Sequence, residues 1–402
     1  GGRSVAVGMQ ALSAQNNDAS NYNTAVGYAA GQAVTTGVEN TLIGGLAGDA
    51  ITTGSENVAV GASALSSNTT GRENNASGRK SLFANTTGSY NSSSGATALA
   101  TNTTGANNTA HGYRALYLNT TASNNTAVGY QSLYANTTGA NNVAVGKAAL
   151  DANTTGNSNT ALGTDALSSD TLGSRNVAVG QSALEVQNFT SATNSYNTAI
   201  GFNSGAAITT GNENTLIGGL AGDALTVGFA NIALGTHALG SDTQGSRSVA
   251  IGKSALATQN FTSATNAYNV AVGEAAGLSV TTGIKNTLIG GLAGDANTTG
   301  FNNTVVGYDA LGTNTASGAN VAIGYEALKT YNNTSDASHF NTAIGTQAGK
   351  LLTTGIQNTF IGGLAGDATT TASNNVAVGY ASLTTNTTGH SNNAVGATAL
   401  DA

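Results

Sequence analysis

The stretch NTAVGYQSLYANTTGAN, residues 125–141, is followed without a break by NVAVGKAALDANTTGNS at 142–158 and NTALGTDALSSDTLGSR at 159–175. Each copy begins 17 residues after the one before it. Taking the first Asn as position 1, the frame extends in both directions to give 23 copies, the first at Ser4 and the last at Asn392. Position 4 is Val, Ile or Leu in 20 of the 23, and position 5 is Gly in all of them. A unit this short cannot bury a core alone and must stack on its neighbours, so the period predicts a solenoid. The single repeat domain is expected to span 1–402, with function residing in a long surface.

Within a copy, positions 1 to 5 alternate in the manner of a short strand with two distinct faces. Positions 2 and 4 share one face and position 3 takes the other. The Gly at position 5 ends the strand at a bend that needs positive φ or close backbone approach. A second apolar pair stands at positions 8 and 9, as in Ala149-Leu150, and an Asn-Thr-Thr-Gly turn signal follows at 12 to 15. Two short strands and two bends per turn describe an all-β, parallel β-roll or β-solenoid of about 23 turns. At ~4.8 Å per turn its length is roughly 110 Å. The apolar position 4 is assigned to the core, as a ladder through Val128, Val145, Leu162, Val179, Ile200, Ile217, Ile251, Ile289 and Ile323. The small position 3 is assigned to an oligomer seam through Ala127, Ala144, Ala161, Ala178 and Ala250.

Composition narrows the function. Charged residues make up 8 % of the chain and the net charge is −7, which provides no basic surface for nucleic acid. There is no Cys, Pro or Trp, so disulfides and thiolate metal sites are excluded. No apolar run approaches the ~20 residues of a spanning helix, so no membrane insertion by this segment is expected. The chain opens within a repeat, which reads as a piece of something longer. Strict phase distinguishes it from a disordered Gly/Asn/Thr tract.

The strand wording resembles the head repeats of trimeric autotransporter adhesins, whose S-V-A-I-G strand recurs once per turn of a left-handed parallel β-roll. Ser248-Val249-Ala250-Ile251-Gly252 matches it letter for letter, and Ser4-Val5-Ala6-Val7-Gly8 and Asn320-Val321-Ala322-Ile323-Gly324 come close. The longer NTAVGYQSLYANTTG wording is similar to repeat regions of phage tail fibre proteins. The period departs from the adhesin heads, which repeat at about fourteen residues, and the chain has no heptad stalk, barrel anchor or chaperone domain. The resemblance implies a left-handed roll, homotrimeric assembly, and an extracellular setting at a cell surface or on a virion.

Irregular copies mark candidate sites. Spacing lengthens to 21 residues before Asn197, Asn269 and Asn341, which defines super-repeats at 197–268 and 269–340, continued from 341. A smaller insertion of two residues precedes Asn23. The long turns carry Phe189, Tyr196, Phe261, Tyr268, Tyr331 and Phe340, candidate contact residues for a receptor, a glycan or a neighbouring fibre. The same long turns also fit relief of accumulated twist. Four copies read N-T-(L/F)-I-G-G-L-A-G-D, with a lone Asp49, Asp223, Asp295 or Asp367 expected to be solvated. Position 4 turns polar at Ser77, Ser94 and His111, which would weaken a core there. Sequons at Asn68, Asn85, Asn102, Asn119, Asn136, Asn153, Asn188, Asn260, Asn297, Asn332 and Asn386 are candidate glycan acceptors, although an Asn/Thr-rich repeat also generates them by composition.

No clustered carboxylates, Ser-His-Asp set, GK[ST] loop or metal-ligand spacing is present, so no enzyme, cofactor or metal is expected. The expected function is a non-enzymatic extracellular fibre segment that sets distance and presents loops, with copies of itself as partner. The alternative is an ice-binding solenoid using ranks of Thr such as Thr137-Thr138 and Thr154-Thr155.

Overall fold

The computed structural model describes residues 2–16 and 20–401. The small insertion before Asn23 falls on 17–19, outside the described residues. The protein is a parallel β-solenoid of 23 turns, each contributing one three-residue strand at positions 2 to 4. It divides into two compact units, residues 1–197 and 198–402. The first holds the strands from Val5–Val7 to Val177–Val179, and the second those from Thr198–Ile200 to Asn393–Val395.

Within each unit successive strands pair in parallel with identical positions opposite each other, as in Thr126↔Val143, Ala127↔Ala144 and Val128↔Val145. Backbone bonds run from turn to turn: Thr126 N–H donates to Asn142 O at 2.8 Å, and Gly129 N–H to His111 O at 2.8 Å. Among the described residues a second, two-residue strand occurs only beside two of the long turns, where Gly173–Ser174 pairs with Thr193–Asn194 and Gly245–Ser246 with Thr265–Asn266. The return path through positions 6 to 11 is a run of tight bends in which positions 7 and 9 adopt the left-handed conformation, φ 55° at Gln131 and 51° at Leu133. Such backbone is disfavoured for residues with a Cβ. It persists because these residues still bond between turns, Leu133 N–H reaching Ala149 O at 2.9 Å. The Gly at position 5 is required twice over. Gly129 has φ 133°, and a Cβ there would fall 2.4 Å from the carbonyl oxygen of Gly146 in the next turn.

The structure reverses the assignment of the two strand faces. Position 3 points into the core: Ala127, Ala144, Ala161, Ala178 and Ala250 are fully buried within the chain and cannot form a seam. Position 4 points outward: Val128, Val145, Leu162, Val179, Ile200, Ile217, Ile251, Ile289 and Ile323 are half-buried or exposed. The cause is volume. The space inside a turn is filled by Leu at position 9, such as Leu133 and Leu150, also fully buried. A side chain as large as Leu or Phe at position 3 would compete for that space, whereas the smaller Val305 is buried in the same turn as Leu311.

The four N-T-(L/F)-I-G-G copies and the copies preceding them satisfy the same limit in another way. There position 9 is Gly, and the bulk comes from position 3 or 12. A Cβ on Gly31 would lie 2.6 Å from Leu42 Cδ1, and one on Gly48 2.7 Å from Leu42 Cδ2 and 2.8 Å from Ile51 Cδ1. One leucine therefore fills two glycine vacancies in adjacent turns. Leu288 does so for Gly277 and Gly294, and Phe360 for Gly349 and Gly366.

Candidate interaction surfaces

Two internal polar columns show which surfaces remain free. At position 1, Asn142 N–H donates to Asn125 Oδ1 at 2.9 Å, while Asn125 Nδ2 donates to Gly139 O at 2.9 Å. At position 12, Asn85 Nδ2 donates to Asn68 Oδ1 at 2.9 Å and to Gly88 O at 2.9 Å. This second ladder continues through Asn102, Asn119, Asn136 and Asn153. It stops where Asp170, an acceptor when ionised, takes the next place, and Asn153 Oδ1 is left buried without a partner. Burial pushes the Asp170 carboxyl up from its ordinary range, against hydrogen bonds from Gln187, Gly173, Leu172 and Phe189.

This accounting removes most of the sequons. Asn68, Asn85, Asn102, Asn119, Asn136, Asn153 and Asn297 are buried, and their amide nitrogens are hydrogen-bonded inside the solenoid. Asn386 is half-buried and donates to Gly389 O at 3.0 Å. The sequon wording here is a by-product of ladder chemistry, so these eight are corrected to structural residues. Asn188 and Asn260 are exposed, and Asn332 is half-buried; their Oδ1 atoms accept from the hydroxyls of Thr171, Thr243 and Thr315.

The long turns divide likewise. Phe189, Phe261 and Tyr331 are buried and are no contact residues. Tyr331 stands at position 12 itself, while in the turns of Phe189 and Phe261 that position is a buried glutamine, Gln187 donating to Asp170 Oδ2 at 2.7 Å and Gln259 to Asp242 Oδ2 at 2.6 Å. Tyr331 donates to or accepts from His339 Nδ1 at 2.8 Å, and burial raises its hydroxyl to about 12. Tyr196, Tyr268 and Phe340 are exposed. Arg247 Nη1 donates to Tyr268 OH at 2.8 Å and its guanidinium stands 5.6 Å from the ring centroid; Arg175 and Tyr196 make the same clasp. The loop carboxylates Asp49, Asp223, Asp295 and Asp367 are half-buried. Burial raises Asp223, Asp295 and Asp367, with repulsion from Asp309 adding to the rise at Asp295.

Charge is concentrated on a ridge at positions 7 and 10 in one part of the second unit. Lys329 bridges Asp309 at 2.8 Å and Glu326 at 2.6 Å, and Lys350 reaches Glu326 at 2.7 Å. Hydrogen bonds from Lys329, then Lys350 and Gln347, lower Glu326 to about 2. Among the described residues no group of three or more His, Cys, Asp or Glu could hold a metal ion.

A further candidate surface, repeated in every turn, is the outward strand face, whose position-4 residues hydrophobicity alone assigns to the core. None of the 46 residues at positions 2 and 4 is Asp, Glu, Lys or Arg, and His111 alone among them is titratable. The co-variation of positions 3 and 9 is the signal that could have found this face, because Leu or Phe at position 3 occurs only with Gly at position 9. Comparison with models of protein families finds no match, and comparison with curated proteins finds none.

Proposed function

We propose that this chain is a non-enzymatic structural segment of an extracellular fibre, at a cell surface or on a virion, built by copies of the chain packing on their outward strand faces. The observation that carries this reading is the uncharged face. Solvated β-surfaces ordinarily bear charge, which keeps them soluble and discourages association. Here the rows of Val, Ile, Leu and Thr at positions 2 and 4 carry none, so exposed apolar area runs along each unit, interrupted in the first only by the uncharged polar turns at Ser77, Ser94 and His111, and burying it is favourable. A surface repeating once per turn is matched best by another with the same rise, which makes a second copy the fitting partner. Adhesin-like and tail-fibre-like settings both accommodate such an assembly, including a homotrimer.

The ladders support a spacer role, because each turn is held to the next by backbone and side-chain bonds alike. The exposed Tyr196, Tyr268 and Phe340 are left as the residues such a spacer would present. Ice binding fares less well: the position-13 hydroxyls are engaged, with Thr137 Oγ1 donating to Thr154 O at 3.0 Å.

Val145→Asp tests the reading. The side chain points to solvent in a single copy, so the fold and its circular dichroism should be retained. Light scattering should show the assembled wild type and a dissociated variant, because a carboxylate would be desolvated on the covered face. A variant that unfolds, or that assembles like the wild type, would overturn the assignment of this face.

A further inference from the structure

In the first unit, the position-4 row reads Val7, Val26, Ile43, Val60, then Ser77, Ser94, His111, then Val128, Val145, Leu162, Val179. Four apolar residues stand on either side of three polar ones. The accompanying position-2 residues are Asn75, Ser92 and Thr109. We infer that this polar block sets the axial register in which copies of the chain pack on the strand face. The inference rests on the assembly reading above and adds to it the residues that decide alignment.

A periodic apolar face does not specify its own alignment. A copy displaced by one turn, ~4.8 Å, meets almost the same surface, as happens with flat and uniform strands generally. The block breaks this degeneracy. Among the described residues no hydrogen bond joins the side chains of Asn75, Ser77, Ser92, Ser94, Thr109 and His111 to the rest of the chain, although inside the same turns Ser93 is satisfied by Ser81 Oγ at 2.6 Å and Ala98 O at 3.0 Å. The polar residues outside are therefore not part of the core's bonding. When copies are aligned, hydroxyl, amide and imidazole groups lie opposite one another and can both donate and accept. When copies are displaced, these groups are desolvated against Val and Leu without partners. A buried polar residue plays the same part in coiled-coil seams, at some cost in stability. No carboxylate or ammonium lies on the face to compete as a marker.

The experiment replaces the block and then moves it. Wild type should give one species of single mass by light scattering and particles of uniform length by electron microscopy. S77V/S94V/H111V changes only outward positions and should fold by circular dichroism, yet give polydisperse and longer particles, because displaced copies leave uncovered face that recruits others. Adding V128S/V145S/L162S to that variant creates a new block three turns away and should restore one mass. A triple variant with the wild-type mass and length would overturn the register role, as would a moved block that stays polydisperse. A wild type that is monomeric at every concentration would instead remove the assembly reading on which the register role depends.

Discussion

Turn 125–141 and turn 40–56 fill the same cross-section by opposite means. The first places Ala127 at position 3, Leu133 at position 9 and Asn136 at position 12; the second places Leu42, Gly48 and Ile51 there. The five side chains are fully buried; Gly48 is buried too and has no room for a Cβ. What the backbone fixes is thus a volume and a stacking distance, while the residue that supplies the bulk is free to move around the turn. In turn 40–56 the exchange has a second effect, since Ile51 puts hydrocarbon contact in place of a rung of the position-12 amide ladder, whereas turn 286–302 keeps Asn297 beside Leu288 and its Oδ1 accepts from Asn314 Nδ2 at 3.4 Å.

The most damaging way to break the comparison is to charge the face both forms share. Ala144→Asp would set an unpaired carboxylate in the core, which costs several kcal/mol or forces its protonation. Thermal unfolding should shift steeply downward or the chain should fail to fold, the reverse of what is expected one residue away at Val145.

Leu42→Ala should cost about 2–5 kcal/mol, because it empties space beside two glycines at once. The comparison is sharpened by converting one form into the other. L42A/G48L/I51N recreates the Ala-Leu-Asn arrangement in the second turn and gives Asn68 a ladder partner, so it should recover the part of the loss at Gly48 while leaving the vacancy at Gly31. Denaturant melts of the parent, the single variant and the triple variant should fall in the order parent, triple, single. A triple variant less stable than L42A would show that the two fillings are not interchangeable.

The smallest effect concerns charge on the ridge. Glu326 is held at about 2 against an ordinary 4.5, so its ion pairs stabilise the second unit above the ordinary value, and that contribution is lost as pH falls from 4.5 towards 2. Asp242 has the opposite sign: burial raises it above 3.8, so lowering the pH through its raised value relieves a cost. Comparing melting temperatures of wild type and Glu326→Gln between pH 5 and 2 isolates the first effect. The difference between them should narrow steadily toward the acid end; a constant gap would show that the ion pairs do not contribute through this titration.

The repeat length, the strand at positions 2 to 4, the glycine bend and the parallel stacking were all legible in the sequence, because each follows from spacing or from the demands of one residue type. The identity of the inner face was not. Period-two alternation separates two faces without saying which is buried, and hydrophobicity alone favours Val145 over Ala144. What decides the matter is the tightness of the turn, visible in sequence only through paired exchanges such as Leu42 with Gly48. The sequons misled for a related reason: Asn136 is spaced as a glycan acceptor but serves as a rung. The wholly uncharged rows at positions 2 and 4 were readable from the outset, yet they carry meaning only once the strand is known to face outward.

The asparagine column at position 1 also gives the stack a direction of growth. A completed turn leaves an Oδ1 acceptor waiting for the backbone N–H of the turn that follows, as Asn125 does for Asn142. Its strand N–H at Thr126 likewise waits for the carbonyl of Asn142. Each turn made during synthesis is therefore a prepared template for the one emerging behind it, and the chain can be laid down from its N-terminal side as a one-dimensional crystal adds layers.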